Sequence, residues 1–97
     1  MATYLVGQIL IQDQEKWQRY VAGVAESLQP FPSVELVFRG KKRDVLAGHN
    51  PTNDVVVIRF PDGSTLDKWF QSPAYQKLIP LRDEAAQVTI TTYASTP

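Results

Sequence analysis

Residues 3-TYLVGQILI-11 alternate as a β-strand does, yet neither side of the alternation is polar. Leu5, Ile9 and Ile11 project one way, and Tyr4, Val6 and Leu10 the other. The run 54-DVVVIRF-60 repeats the pattern, with Val55 and Val57 on one side and Val56, Ile58 and Phe60 on the other. A strand with apolar groups on both sides belongs to a sheet that is covered on both sides. That requirement limits the folds open to the chain.

One cover is legible nearby. Residues 13-DQEKWQRYVAGVAESLQ-29 place Trp17, Tyr20, Val21, Val24 and Leu28 at helical spacing, and leave Lys16, Gln18, Arg19 and Glu26 for solvent. Asp13 is placed to cap this helix, Glu15 suits its positive first turn, and 30-PFP-32 ends it. A β-branched run at 33-SVELVFR-39 forms a second strand, and 88-VTITTYA-94 alternates as the last. Between the second and third strands, Val45 and Leu46 read as a short strand piece, followed by loop chemistry at 48-GHNPTN-53.

The second cover is the stretch 64–86, a helix interrupted by Pro73 and Pro80. Ser64 with Asp67 resembles a capping box for a short helix carrying Leu66, Trp69 and Phe70. Ser72 before Pro73 reads as a stop and a restart, because serine caps well and proline suits the first helical turn. Pro80 takes away a bond to the Gln76 carbonyl, which predicts a kink or another restart. Tyr75, Leu78, Ile79 and Ala86 form the buried stripe, and Ser64 and Ser72 are caps rather than nucleophiles.

The order is thus βαββαβ in a single domain spanning 1–97, an α+β architecture with an antiparallel four-stranded sheet and helices on one face. Two helices roof only one side. A second copy of the chain is the simplest cover for the other, since closed two-fold dimers are the commonest oligomers.

Composition narrows function mainly by exclusion. Ten Lys and Arg balance ten Asp and Glu, so nothing draws the chain toward nucleic acid or an anionic membrane. The basic run 39-RGKKR-43 is short and abuts Asp44, too little for a nucleic-acid surface. Absent cysteine removes disulfides, thiolate ligands and cysteine nucleophiles. One histidine without a partner at metal-ligand spacing points to no metal site. No stretch reaches the roughly 18 apolar residues of a membrane span, so the expected location is cytoplasmic.

Several residues carry candidate chemistry. His49, the sole histidine, could act as acid or base near neutral pH, or simply be exposed in its loop. Arg39 and Arg59 lie on strands; an arginine facing a covered layer needs a carboxylate, such as Glu35 or Asp44, or an anionic ligand. Tyr75 and Arg82 lie seven residues apart on one helical face. Tyr4, Trp17, Tyr20 and Trp69 could line a pocket for a flat apolar ligand, or be plain core. The candidate set is therefore His49 and Arg39 for catalysis, and Arg59, Trp69, Tyr75 and Arg82 for a ligand pocket, with no metal and no cofactor.

The opening YLVGQILIQD, the RG at 39–40, the block VVVIRFPDGSTLDKWFQSPAYQ and the following LRDEAA resemble the bacterial family called domain of unknown function 1330, within the dimeric α/β-barrel superfamily. The resemblance covers nearly the whole chain, and Val55 to Gln76 is its most specific part. It implies a ferredoxin-like protomer whose sheet packs face to face with that of its partner, forming a homodimer. It implies no particular activity; related families include cofactor-free monooxygenases, lactone isomerases and haem-degrading enzymes. Three functions follow as expectations: a small-molecule binding protein with a pocket between helices and sheet, a cofactor-independent monooxygenase- or isomerase-like enzyme on a small aromatic or carbonyl substrate, and a structural or interaction dimer without chemistry.

Overall fold

The computed structural model describes residues 1–97. The chain runs β1 (Thr3–Ile11), α1 (Gln14–Ser27), β2 (Glu35–Lys41), β3 (Asp54–Phe60), α2 (Gly63–Gln71), α3 (Pro73–Gln76), α4 (Ile79–Ala85) and β4 (Ala86–Ala94). The strands form one antiparallel sheet in the order β2-β3-β1-β4. This is the ferredoxin-like α+β arrangement, with an open sheet and all helices on one face.

Local chemistry explains the helix boundaries. Asp13 is extended, and its carboxylate accepts from the Lys16 amide at 3.1 Å, which starts α1. Ser72 is likewise extended, and its hydroxyl accepts from the Tyr75 amide at 3.3 Å, so α3 restarts with Pro73 in its first turn. Pro80 produces a second restart rather than a kink. α3 has ended at Gln76, α4 begins at Ile79, and Pro80 sits in a first turn where an N–H has no helical partner to lose.

Three local expectations change. α2 is capped by Asp62, not Ser64: the Asp62 carboxylate accepts from the Thr65 amide at 2.7 Å, and Ser64 lies inside the helix. A carboxylate is the stronger acceptor and also suits the positive helix end. The bond from the Thr65 amide, aided by the Thr65 side chain, holds the Asp62 carboxyl below the usual carboxylate range. Val45 and Leu46 form no strand; the β2–β3 ladder closes where the Lys42 amide donates to the Asn53 carbonyl, and beyond it no strand lies opposite them. Leu46 is 90% exposed. Ala86 is buried as expected, but as the first residue of β4.

The core lies wholly between helices and sheet. Leu5, Ile58 and Phe60 rise from the strands to meet Tyr20, Leu66, Trp69, Tyr75 and Leu78. Aromatic rings fill its centre, with Trp69 and Tyr75 4.6 Å apart between centroids. The molecule measures 36 × 32 × 16 Å, two layers thick and no more.

Strand register sorts the two faces. Opposite residues form the rows Leu36–Ile58–Leu5–Thr92, Arg39–Val56–Gly7–Ile90 and Lys41–Asp54–Ile9–Val88 toward the helices. Rows Glu35–Arg59–Tyr4–Tyr93, Phe38–Val57–Val6–Thr91 and Gly40–Val55–Gln8–Thr89 face away. The outward face is apolar in the row Phe38–Val57–Val6, carries the Glu35–Arg59 pair on one side of it and Gln8 on the other, and presents Thr89 and Thr91 along β4. No helix covers it, and Phe38 there is 50% exposed.

Candidate functional site

β2 does not keep simple alternation. Its register shifts between Leu36 and Phe38, so Val37 is a bulge residue with no partner on β3. Glu35 and Phe38 consequently share the outward face, and Leu36, Arg39 and Lys41 turn toward the helix layer. Without the bulge, Arg39 would lie on the side of Glu35.

α1 makes its close backbone contacts with α4 rather than with the strands. A cleft of about 820 Å³ opens between α1 and the sheet. Its roof carries Trp17, Val21 and Val24, and its floor carries Gly7, Val56, Ile58 and Ile90. Hydrophobic residues make up 17 of the 24 that line it. The size and character suit a small organic ligand. Polar side chains in the lining are Gln14 and Gln18 on α1 and Arg39, Lys41 and Asp54 on the hairpin. Lys41 and Asp54 are paired at 3.3 Å, whereas Arg39 has neither an ion pair nor a hydrogen-bond partner.

The candidate residues fall into separate places. Arg39 and Trp69 line the cleft, together with Trp17 and Tyr20. Trp69 is almost wholly buried, and its indole N–H donates to the Ser27 hydroxyl at 2.9 Å. Tyr75 is fully buried behind the lining. Its hydroxyl lies 2.9 Å from that of Tyr20 and accepts from Arg82 Nη1 at 3.0 Å. Burial foremost, then the Tyr75 hydroxyl, pushes the Tyr20 phenol well above its ordinary value. Burial alone would lower the Arg82 guanidinium, but the Tyr75 oxygen and the Asp83 carboxylate hold it above its ordinary value. Tyr20, Tyr75 and Arg82 therefore form a buried polar link joining α1, α3 and α4.

Arg59 lies on the outward face beside Glu35, at 3.7 Å, and Tyr4 shares that face. His49 lies exposed in the loop between β2 and β3 and lines no part of the cleft. Lys41 and Asp54 were not singled out from the sequence; their pairing emerges only once the hairpin register sets them opposite each other. No group of three or more His, Cys, Asp or Glu side chains is placed to hold a metal ion. No helix is long and apolar enough to cross a membrane.

The family model for the domain of unknown function DUF1330 matches residues 2–94. The chain belongs to this family. Among solved structures, this DUF1330 chain is similar to the Arabidopsis thaliana protein At3g17210, with 15% identity, a TM-score of 0.77, and coverage of 98% of this chain and 96% of that one. A dimeric ferredoxin-like protein of unknown function from Jannaschia sp. CCS1 gives 14% identity, a TM-score of 0.74, and coverage of 98% and 100%. SnoaB, a cofactor-independent oxygenase from Streptomyces nogalater, gives 9% identity, a TM-score of 0.71, and coverage of 99% and 94%. At these identities the likeness concerns fold alone. No curated protein matches the sequence.

Proposed function

We propose that this DUF1330 chain is a homodimeric small-molecule binding protein. Its ligand enters the cleft between α1 and the sheet, and a second copy covers the outward sheet face. The observation that carries the binding reading is the cleft: about 820 Å³, mostly apolar, with its polar groups gathered on α1 and the β2–β3 hairpin. The dimer reading is supported by the uncovered row Phe38–Val57–Val6 and by the dimeric state named for the Jannaschia protein.

Binding is preferred over catalysis because the one histidine, the natural acid–base group near neutral pH, is absent from the cleft lining. Likeness to SnoaB supports an oxygenase only by analogy of fold. Titration of the labelled protein with naphthol, followed by amide chemical shifts, tests the binding reading. Shifts concentrated at Trp17, Val21, Val56 and Ile58 are expected. Shifts scattered over the surface, or none, would contradict it.

A further inference from the structure

We propose that the cleft takes an amphipathic carboxylate, with the apolar body between α1 and the sheet and the carboxylate on the Arg39 guanidinium. This rests on the cleft being a ligand site and adds the class of ligand.

Three observations converge. First, the bulge at Val37 turns Arg39 to the cleft side, a re-aiming that costs the β2–β3 ladder a regular position. Second, the charges in the lining do not cancel. Lys41 and Asp54 neutralise one another at 3.3 Å, and Arg39 remains as one unmatched positive charge. Third, the remaining lining is dominated by Trp17, Val21, Val56 and Ile58 among other apolar side chains, which favour a body without charge. A planar guanidinium presents two parallel N–H donors, the geometry a carboxylate accepts. A neutral ligand would leave that charge to water and gain nothing from it, and a cation would be repelled by it. A dianion would exceed it.

Naphthoate, naphthamide and naphthylmethylammonium share one apolar body and differ in charge. Calorimetric titration of each, with amide shifts to locate the site, separates body from headgroup. Naphthoate is expected to bind about three- to tenfold more tightly than naphthamide, a modest factor because Arg39 sits at a wetted mouth. The ammonium is expected to bind most weakly. Salt at about 0.5 M should narrow the spread. Arg39→Gln should weaken naphthoate more than naphthamide and close the gap between them, and Arg39→Glu should make the ammonium the preferred ligand. Matching spectra away from residue 39 establish that the variants fold.

Equal binding of all three probes in the cleft would overturn the carboxylate proposal and leave the cleft as a ligand site. A naphthoate preference that survives Arg39→Gln would overturn Arg39 as the seat. Failure of all three to move cleft resonances would overturn the binding reading itself and the proposal with it.

Discussion

The hydroxyls of Tyr20 on α1 and Tyr75 on α3 lie 2.9 Å apart inside the helix layer, and Arg82 on α4 donates to the Tyr75 oxygen at 3.0 Å. Tyr75 is the shared member. Tyr75→Phe leaves the buried Tyr20 hydroxyl without this partner and also strips a partner from Arg82, so a loss of about 1–3 kcal/mol is expected. Tyr20→Phe leaves Tyr75 bonded to Arg82 and should cost about 1 kcal/mol. Urea denaturation of the two variants checks the order. Equal losses, or a larger loss for Tyr20→Phe, would show that the link does not centre on Tyr75.

The same link sets a pH dependence. The folded Tyr20 phenol is raised above its unfolded value, so its contribution is fully present below about pH 10. As pH climbs past that value the unfolded chain loses the proton while the folded chain keeps it, and stability falls. The slope from one group approaches about 1.4 kcal/mol per pH unit. Thermal melts between neutral and strongly alkaline pH should show a steeper decline for the wild type than for Tyr20→Phe. Parallel declines would remove Tyr20 as the source.

At the start of α2, Asp62→Ala should lower the melting temperature and Ser64→Ala should leave it nearly unchanged, because Asp62 holds the Thr65 amide. The folded Asp62 carboxyl sits below its unfolded value. Its contribution is therefore present at neutral pH and is lost as pH falls through the carboxylate range. Melts of both variants at neutral and acid pH check this. The difference between wild type and Asp62→Ala should shrink in acid.

Gly23 brings α1 against the turn between α3 and α4. A Cβ there would stand 2.6 Å from Leu78 Cδ2 and 3.2 Å from Cδ1, so the buried leucine must move. Gly23→Ala gains about 1 kcal/mol of helix propensity but overpacks that contact by about 1–3 kcal/mol. The expected result is a net loss in the wild-type background. With Leu78→Ala the obstruction is gone, and Gly23→Ala should become stabilising by about 1 kcal/mol. A change of the same sign in both backgrounds would mean that Leu78 does not set the spacing of α1.

Much of the fold was legible because its signals are local. Apolar alternation in β1 and β3 marks the sheet, and Asp13, Ser72–Pro73 and Pro80 mark helix ends by chemistry confined to a few residues. The site was less legible. Arg39 was a candidate, but its direction depends on a bulge at Val37, and nothing in ELVFRGK distinguishes a bulged strand from a regular one. Lys41 and Asp54 become partners only through hairpin register. Trp69 and Tyr75 were expected together in a pocket; Trp69 reaches the lining, and Tyr75 is sealed behind it by its bonds to Tyr20 and Arg82. His49, the most reactive side chain by type, falls in a loop whose path no periodicity reveals.

The central claim is that one sheet face is roofed by helices over a ligand cleft and the other by a second copy of the chain. Sedimentation equilibrium across micromolar concentrations tests it most directly, with Val57→Asp as the companion variant because Val57 lies between Phe38 and Val6 on the uncovered face. The wild type is expected to sediment at twice the chain mass, and folded Val57→Asp at the mass of one chain. A wild type that stays at the mass of one chain throughout, with its outward face in water, would contradict the claim.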